Sequence, residues 1–333
     1  MKTEILEVVA GPKGERAIQR AAQLLRDGRL VAFPTETVYG LGALALDPIA
    51  VARIFEAKGR PTHNPLIVHV ADRRLAREVV ASWGERADAL ADAFWPGPLT
   101  LVLPKSTRVP AAITAGLDAV AVRIPSHPVA RDLLAAVGAP VAAPSANRYT
   151  RISPTTARHV EKSLGGRIDA ILDGGATPIG IESTVLDLCA EVPRLLRPGA
   201  ISADELREVV GRVDLATAAP AEGAARPSPG LSPRHYAPAG RVELVAGGDI
   251  EGRLGGGERV GVIARRRRPG GAGVAAWLEL PADAGGFARQ LYAALHALED
   301  AGVERIVVEA APDGTAWDGV RDRLRRAATP AGA

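Results

Sequence analysis

Residues 33–70 read FPTETVYGLGALALDPIAVARIFEAKGRPTHNPLIVHV, and this stretch decides the fold. The short apolar run RLVAF (29–33) predicts a buried strand, and PTETVYGLG (34–42) predicts a turn-rich loop that follows it. Apolar spacing predicts a helix over 48–57 and a second strand over LIVHV (66–70). The stretch therefore predicts strand, loop, helix and strand, the alternation that is typical of a mixed α/β domain.

Small polar groups and fixed cations follow these elements. Lys58 and Arg60 stand two residues apart, and Ser145 and Asn147 follow a predicted strand in APSAN (143–147). Taken alone, the cations fit a helix end and the Ser and Asn fit a turn. Together they favour a phosphate-bearing ligand, because arginine grips phosphate with two hydrogen bonds and lysine acts as a mobile point charge.

Two polar residues interrupt apolar strands. Arg123 ends AVAVRI (119–124), and His69 lies in LIVHV. A buried arginine needs an anion or access to solvent, so Arg123 favours a carboxylate ligand. His69 alone fits either a satisfied core residue or a ligand contact.

Seven segments resemble, in order, the Sua5/YrdC/YwlC family, the threonylcarbamoyl-AMP synthases. HYAP (235–238) and the chain beyond it are similar to the long, two-domain Sua5 form, although the preceding LSPR departs from the usual MKYR. The seven matching segments are PTETVYGLG (34–42), KGRP (58–61), NPLIVHV (64–70), VRIPSHP (122–128), PSAN (144–147), ESTV (182–185) and RPG (197–199).

The resemblance implies an α/β fold with three parts. Residues 1–211 are expected to form a YrdC-like catalytic domain, a twisted open sheet with a concave face. Residues 212–239, punctuated by prolines, are predicted to be a linker. The strand and helix order in 240–333 predicts a small Rossmann-like C-terminal domain.

The resemblance also implies a reaction. Such an enzyme joins L-threonine, bicarbonate and ATP into threonylcarbamoyl-AMP and releases pyrophosphate, with Mg²⁺ carried by ATP. Downstream threonylcarbamoyl transferase proteins then modify N6 of adenosine 37 in certain tRNAs. A nucleotidyltransferase in the cytoplasm is therefore expected, with at most weak tRNA contact of its own.

The resemblance assigns individual residues to this site. Lys58 and Arg60 are the expected catalytic cations, and Glu36 and Glu182 are expected to be structural or near the metal. The expected threonine-binding residues are Thr37, His69, Arg123, Ala143 and Ser183. The expected ATP-binding residues are Lys58, Arg60, Asn64, Ser145, Asn147, Ser153, Arg197, His235 and Tyr236.

Two further expectations concern local structure. Ser153 and Pro154 predict the N-cap and first residue of a helix over 154–164. His235 and Tyr236 are unusual in a stretch otherwise rich in Pro, Ala and Gly, and suggest that 228–238 is a lid over the nucleotide rather than a spacer.

Composition excludes several classes. There is no apolar run of about 18 residues to span a membrane, and the single cysteine, Cys189, excludes an intrachain disulfide and is expected to be buried. No Walker A, HExxH, paired CxxC or GxSxG motif occurs. The net charge of +3 does not demand nucleic acid, and the arginine runs at 265–268 and 321–326 are interpreted as solvated faces.

Two alternatives remain open. One is a tRNA- or double-stranded-RNA-binding module, which would show binding with a steep salt dependence. The other is a carbamoyl-transferring maturation factor, but such chains are much longer and carry zinc-finger-like cysteines that this sequence lacks.

Overall fold

The computed structural model describes residues 2–216, 235–246, 249–268 and 273–329. Within these ranges the chain forms a mixed sheet of 11 strands and a separate parallel sheet of four strands. Helices pack on both sheets. The predicted α/β fold with a small Rossmann-like second unit is confirmed. The predicted boundaries at 211 and 239 stay a prediction, because 217–234 lie outside the described ranges.

The large sheet has the strand order β1-β8-β2-β3-β7-β4-β6-β5-β9-β10-β11. Its strands are β1 (Glu4–Glu7), β2 (Val31–Phe33), β3 (Gly40–Leu44), β4 (Ile67–His69), β5 (Leu99–Pro104), β6 (Ala119–Arg123), β7 (Val141–Ala142), β8 (Ala170–Asp173), β9 (Thr184–Asp187), β10 (Arg194–Arg197) and β11 (Asp214–Leu215). The helices of this part are α1 (Pro12–Arg26), α2 (Pro48–Lys58), α3 (Arg73–Val79), α4 (Glu85–Phe94), α5 (Ala111–Thr114), α6 (Pro128–Val137), α7 (Ala157–Leu164) and α8 (Ala203–Val210).

The small sheet has the order β12-β15-β13-β14, and each neighbouring pair is parallel. Its elements are β12 (Arg241–Val245), β13 (Val260–Ala264), β14 (Ala276–Glu279), α9 (Ala284–Asp300), β15 (Arg305–Glu309) and α10 (Asp318–Ala328).

Sequence-local capping sets the ends of α2, which delivers two site cations. The Asp47 side chain accepts hydrogen bonds from the backbone N–H groups of Ile49 and Ala50, and Pro48 occupies the first turn. The helix ends at Gly59, whose φ of 61° lies in the left-handed region. Lys58 therefore sits on the last helical turn and Arg60 just beyond it.

The predicted start of the helix at 154 is wrong. α7 begins at Ala157, and Thr156 is its N-cap, accepting from the backbone N–H of His159. Ser153 is fully buried and its hydroxyl donates instead to Glu182 at 2.5 Å. A hydrogen bond to a carboxylate is stronger than the bond that a serine hydroxyl makes as a helix N-cap. The contact with Glu182 therefore prevails over the local capping pattern.

Four strands were not predicted: β1, β3, β11 and β14. β3 occupies the end of what the sequence predicted as a loop, because Gly42 lets it pair closely with β2. A Cβ at Gly42 would lie 2.9 Å from Phe33 Cε1. The expectation that Cys189 is buried is also wrong: it is exposed just beyond β9.

The two sheets are joined by a shared apolar core. Val38, Ile152 and Ile181 from the first part pack in one cluster with α9 residues such as Phe287 and Leu291. The approach is close: a Cβ at Gly319 of α10 would lie 2.7 Å from the carbonyl oxygen of Gly199. The interface therefore resembles a continuous core more than a hinge.

Among the described residues, no helix is both long and apolar enough to cross a membrane. The suggested lid at 228–238 lies mostly outside the described residues, but His235 and Tyr236 are within them.

Candidate active site

Ends of neighbouring strands converge on one pocket. His69 ends β4 and Arg123 ends β6, and the two residues are partners in the parallel register. Residues of the first part of the chain form most of the wall, and His235 and Tyr236, which precede β12, complete it. The lining residues are Thr35, Thr37, Val38, Gly40, Arg60, Ile67, His69, Arg123, Ala143, Pro144, Ser145, Glu182, Ser183, Arg197, His235 and Tyr236.

Arg123 has an anion within the chain. Its Nη2 lies 2.6 Å from Oε1 of Glu36, and both side chains are buried. The approach is not aligned for a hydrogen bond, so both carboxylate oxygens of Glu36 lack a hydrogen-bond partner among the described residues. Nε of Arg123 donates to the Gly97 carbonyl at 3.1 Å, and Nη1 donates to the Thr37 hydroxyl at 3.0 Å. The sequence had not paired Glu36 with Arg123.

The loop 35–38 fixes the proton positions on two hydroxyls. Thr35 Oγ1 lies 2.7 Å from the Val38 carbonyl oxygen, which can only accept. The Thr35 hydroxyl therefore donates there and accepts from Thr37 Oγ1, 2.8 Å away. Since Arg123 donates to Thr37, the Thr37 oxygen keeps one lone pair for a donor in the pocket.

His69 is a neutral acceptor. Nδ1 lies 3.3 Å from the Ile67 carbonyl oxygen, which requires the proton on Nδ1 and leaves Nε2 as an acceptor. Burial, and then the neighbouring Arg123 charge, lower the pKa of His69 to about 3. The ring also meets Phe33 edge to face at 6.2 Å.

Lys58 points to the backbone of the Ser-Ala-Asn loop rather than into the pocket. Its ammonium donates to the carbonyls of Ser145, at 2.6 Å, and Asn147. Burial, and then the Arg60 charge, hold the pKa of Lys58 well below its ordinary value, while Glu182 opposes them. In this arrangement Lys58 positions the loop that carries Ser145.

Arg60 does line the pocket. Its guanidinium donates to the carbonyls of Asn64, at 3.4 Å, and Pro65, at 2.9 Å, and lies 5.9 Å from the centre of the Tyr149 ring. The Asn64 amide nitrogen donates to the Tyr149 hydroxyl at 2.9 Å. Tyr149, which the sequence did not indicate, therefore orders both Arg60 and Asn64.

Ser145 and Asn147 have different surroundings. Ser145 is half-buried and lines the pocket. The Asn147 amide donates to the carbonyls of Arg148 and Arg151 and lies outside the lining, although its Oδ1 is buried without a partner among the described residues. Ser145 is placed to touch a ligand, whereas Asn147 shapes the following loop.

Arg197 and Ser183 form a second polar pair. Nε and Nη2 of Arg197 both donate to the Ser183 carbonyl, at 3.1 and 2.9 Å, and Nη2 also reaches the Ser183 hydroxyl at 3.1 Å. The Ser183 hydroxyl lies 2.8 Å from that of Thr100. The pair holds a buried cation at the pocket.

His235 and Tyr236 close one side of the pocket. Burial lowers the pKa of His235 well below its ordinary value, followed by the charges of Arg60, Lys58, Arg326 and Arg197. Tyr236 has φ 61° and is 1% exposed, and its hydroxyl has no partner among the described residues. A strained backbone and an unpaired buried hydroxyl point to a ligand contact.

Glu182 also lines the pocket and directly precedes Ser183, the partner of Arg197. It accepts hydrogen bonds from Ser153, Tyr292 and Arg323, the last two belonging to α9 and α10. Ser153 is thereby engaged with Glu182 and does not line the pocket. The interpretation of the 321–326 run as a solvated face is wrong for Arg323, which is 1% exposed.

The pocket thus brings together ten of the expected site residues and leaves four outside. Helical spacing could have indicated Arg323, since it lies one turn after Gly319 and beside Leu324 on the buried face of α10. Within the lining are Thr37, Arg60, His69, Arg123, Ala143, Ser145, Ser183, Arg197, His235 and Tyr236; outside it are Lys58, Asn64, Asn147 and Ser153.

Two family models match the chain. The family described as Telomere recombination, Sua5/YciO/YrdC, matches residues 23–199. The domain described as Threonylcarbamoyl-AMP synthase, C-terminal domain, matches residues 201–329.

Individual proteins are similar over nearly the whole chain. A threonylcarbamoyl-AMP synthase of Pyrococcus abyssi is 44% identical over 324 residues, 94% of each chain. One of Bacillus subtilis is 42% identical, covering 93% of this chain and 92% of that protein. The structure of P. abyssi Sua5 complexed with L-threonine superposes with a TM-score of 0.92 at 43% identity, covering 98% of both chains.

Proposed function

The chain belongs to the Sua5/YciO/YrdC family in its two-domain form, and on that premise we propose that it is a threonylcarbamoyl-AMP synthase. It would form threonylcarbamoyl-AMP and pyrophosphate from L-threonine, bicarbonate and ATP. The observation that carries the proposal is one pocket in which the acceptor groups of Thr37 and His69 meet the cations Arg60 and Arg197.

The proposed chemistry has two bond-forming steps. The threonine amine attacks bicarbonate and gives a carbamate with loss of water. A carbamate oxygen then attacks the α-phosphorus of ATP, and pyrophosphate leaves. Both partners in the second step are anions, so fixed positive charge and positioning dominate the catalysis.

We assign the threonine side to Thr37, His69, Arg123, Ala143 and Ser183. The free lone pair of Thr37 suits an amine N–H, and Nε2 of the neutral His69 suits the substrate hydroxyl. Arg123 has five N–H groups, of which two donate to protein partners, so N–H groups on Nη1 and Nη2 are left for the substrate carboxylate.

We assign the nucleotide side to Arg60, Ser145, Arg197, His235 and Tyr236. Arg60 and Arg197 supply charge for the phosphates, and the Ser145 and Tyr236 hydroxyls can hydrogen bond to ATP. Lys58, Asn64, Asn147 and Ser153 lie in the shell behind these residues. We propose that they act by holding the loops that carry the pocket residues.

The residues that could hold Mg²⁺ are few. The described ranges contain no group of three His, Cys, Asp or Glu placed for a metal ion, and Glu182 and Glu36 are each opposed by an arginine. We therefore propose that Mg²⁺ enters on the ATP phosphates, where it would neutralise charge.

We further propose that the product passes to downstream transferase proteins that modify tRNA in the cytoplasm. Any tRNA contact of this chain is expected to be weak. The exposed Arg148 and Arg167 line an open groove behind Lys58, but Lys162 in the same groove is paired with Glu299 and Asp300. Acidic neighbours lower the attraction of such a surface for phosphates.

Pyrophosphate release tests the proposal. The protein is incubated with ATP, bicarbonate and single amino acids, and L-valine serves as the matched control because it has nearly the same shape with a methyl group in place of the hydroxyl. Release is expected only when L-threonine and bicarbonate are both present. Equal release without L-threonine would contradict the assignment.

A further inference from the structure

Glu182 is held from across the domain interface. The Tyr292 hydroxyl donates to its Oε2 at 2.9 Å, and Nε of Arg323 donates to the same oxygen at 2.7 Å. Nη2 of Arg323 also donates to the Glu182 backbone carbonyl at 3.2 Å. Ser153 satisfies the other carboxylate oxygen. Two side chains of the second domain thus complete the environment of a residue that lines the pocket.

The charge of Glu182 matters because of its position. It lies in the pocket wall with Arg197, where the phosphates are proposed to bind. Burial raises the pKa of Glu182, but the charges of Arg323 and Arg197 outweigh burial and lower it overall, so the group is a carboxylate. An uncompensated carboxylate there would repel phosphate and compete for Arg197.

Arg323 is placed by backbone geometry. Gly319 allows α10 to approach Gly199 closely, and Arg323 follows one helical turn later on the same face. Nη1 of Arg323 donates to the Pro198 carbonyl at 2.9 Å, directly beside Arg197. Its guanidinium also lies 5.3 Å from the centre of the Tyr236 ring, and the Tyr292 ring lies 5.8 Å from that of Tyr236.

We propose that Arg323 and Tyr292 are positioning residues that neutralise and orient Glu182, so that the pocket stays cationic toward the substrate phosphates. The second domain would then be part of the active site rather than an accessory module. This inference rests on the proposed function, because it takes the anionic ligand to be ATP.

The first test compares Arg323→Met with Arg321→Met. Arg321 lies on the same helix in an ion pair with Asp318 and does not line the pocket, so it is the matched control. We expect Arg323→Met to raise the KM for ATP by about tenfold or more, with the KM for L-threonine within about twofold of wild type. An equal rise in both KM values would overturn the proposal, because a general loss of structure affects both substrates.

The second test removes both charges. Glu182→Gln combined with Arg323→Met should return the KM for ATP to within about threefold of that of Glu182→Gln alone. This pair of variants also tests the proposal if Arg323→Met does not fold. Replacing both members of a buried ion pair by neutral groups costs less stability than removing one member and leaving the other charged. A double variant about tenfold weaker than Glu182→Gln would show that Arg323 acts on something other than Glu182.

A milder variant tests Tyr292. Tyr292→Phe removes only the hydroxyl that donates to Glu182 and keeps the ring beside Tyr236. The KM for ATP should rise by about threefold, less than for Arg323→Met, because a neutral donor is lost instead of a charged one. An unchanged KM for ATP would remove Tyr292 from the proposal.

Failure of the inference can be separated from failure of the proposed function. Wild-type protein that releases no pyrophosphate with threonine would contradict the function. The same variants are then compared by calorimetric titration with ATP alone, where a loss of affinity in Arg323→Met that is restored in the double variant still supports the inference. Equal ATP affinities across the series would overturn it.

Discussion

Arg123 and Glu36 form a buried ion pair in which the guanidinium Nη2 lies 2.6 Å from the carboxylate Oε1. The sequence predicted that Arg123 binds a substrate carboxylate, but Arg123 already pairs with the Glu36 carboxylate of its own chain. Both oxygens of that anion lack a hydrogen-bond partner among the described residues, so the pair is incompletely satisfied. This arrangement suits a site that accepts a zwitterionic amino acid without carrying a large net charge of its own.

We expect Glu36→Gln to lower the free energy of unfolding by about 3 to 5 kcal/mol, because it leaves Arg123 charged and buried without its anion. L-threonine should restore more stability to this variant than to wild type, since its carboxylate would replace the lost charge. Thermal unfolding with and without ligand measures both effects. L-threoninamide, which has no carboxylate, is the control, and an equal gain with both ligands would place the carboxylate away from Arg123.

We expect Lys58→Met to lower the free energy of unfolding by about 1 to 3 kcal/mol, because the Ser145 and Asn147 carbonyls lose their donor. The KM for ATP should rise as well, since Ser145 is carried by the released loop. Denaturant unfolding and steady-state kinetics give the two values. Lys13→Met, at an exposed ion pair with Glu7, is the control and should leave the free energy of unfolding close to that of wild type. A fully stable Lys58→Met variant would show that the lysine does not hold the loop.

Tyr236→Phe should separate stability from binding. The Tyr236 hydroxyl is buried without a partner among the described residues, so its removal should leave stability unchanged or raise it by about 1 kcal/mol. If the hydroxyl binds nucleotide, the KM for ATP should rise about tenfold, since a hydrogen bond to a charged group is lost. Loss of stability with an unchanged KM would mean that the hydroxyl serves the fold.

Acid should weaken the domain interface at His159 and His296. The two rings stack with centroids 3.9 Å apart, one on α7 and one on α9. Burial, and then the neighbouring His296, lower the pKa of His159 from 6.5 to about 4, with Lys162 and Arg158 acting in the same direction and Asp300 against them. Between these two values the unfolded chain binds more protons, so stability should fall as the pH drops from 6.5 toward 4.

His159→Gln provides the measurement for this effect. The free energy of unfolding should depend less steeply on pH in the variant than in wild type across that window. Some acid sensitivity should remain, because burial also lowers the pKa of His69 to about 3. Identical pH profiles for variant and wild type would contradict a role for the stack.

The sequence by itself determined the alternation of strands and helices and the capping of α2. These features depend on neighbours in the chain: apolar periodicity, an Asp-Pro start and a glycine stop are local physics. The sequence could not predict that His69 and Arg123 are partners in neighbouring strands, because strands that are far apart in the chain meet only through tertiary pairing.

Only the tertiary structure decided which charged groups meet. Glu36 forms an ion pair with Arg123, and Ser153 hydrogen bonds to Glu182 instead of capping a helix. Arg323 is buried, although the arginine run to which it belongs was predicted to be solvated. The physical reason is that a buried charge or hydroxyl takes the partner that the folded chain brings within hydrogen-bond reach, and the energy of that contact exceeds any local preference. The family resemblance therefore indicated most of the residues that line the pocket, whereas their partners followed from tertiary packing, and the part proposed for the second domain from the packing of α9 and α10 beside Glu182.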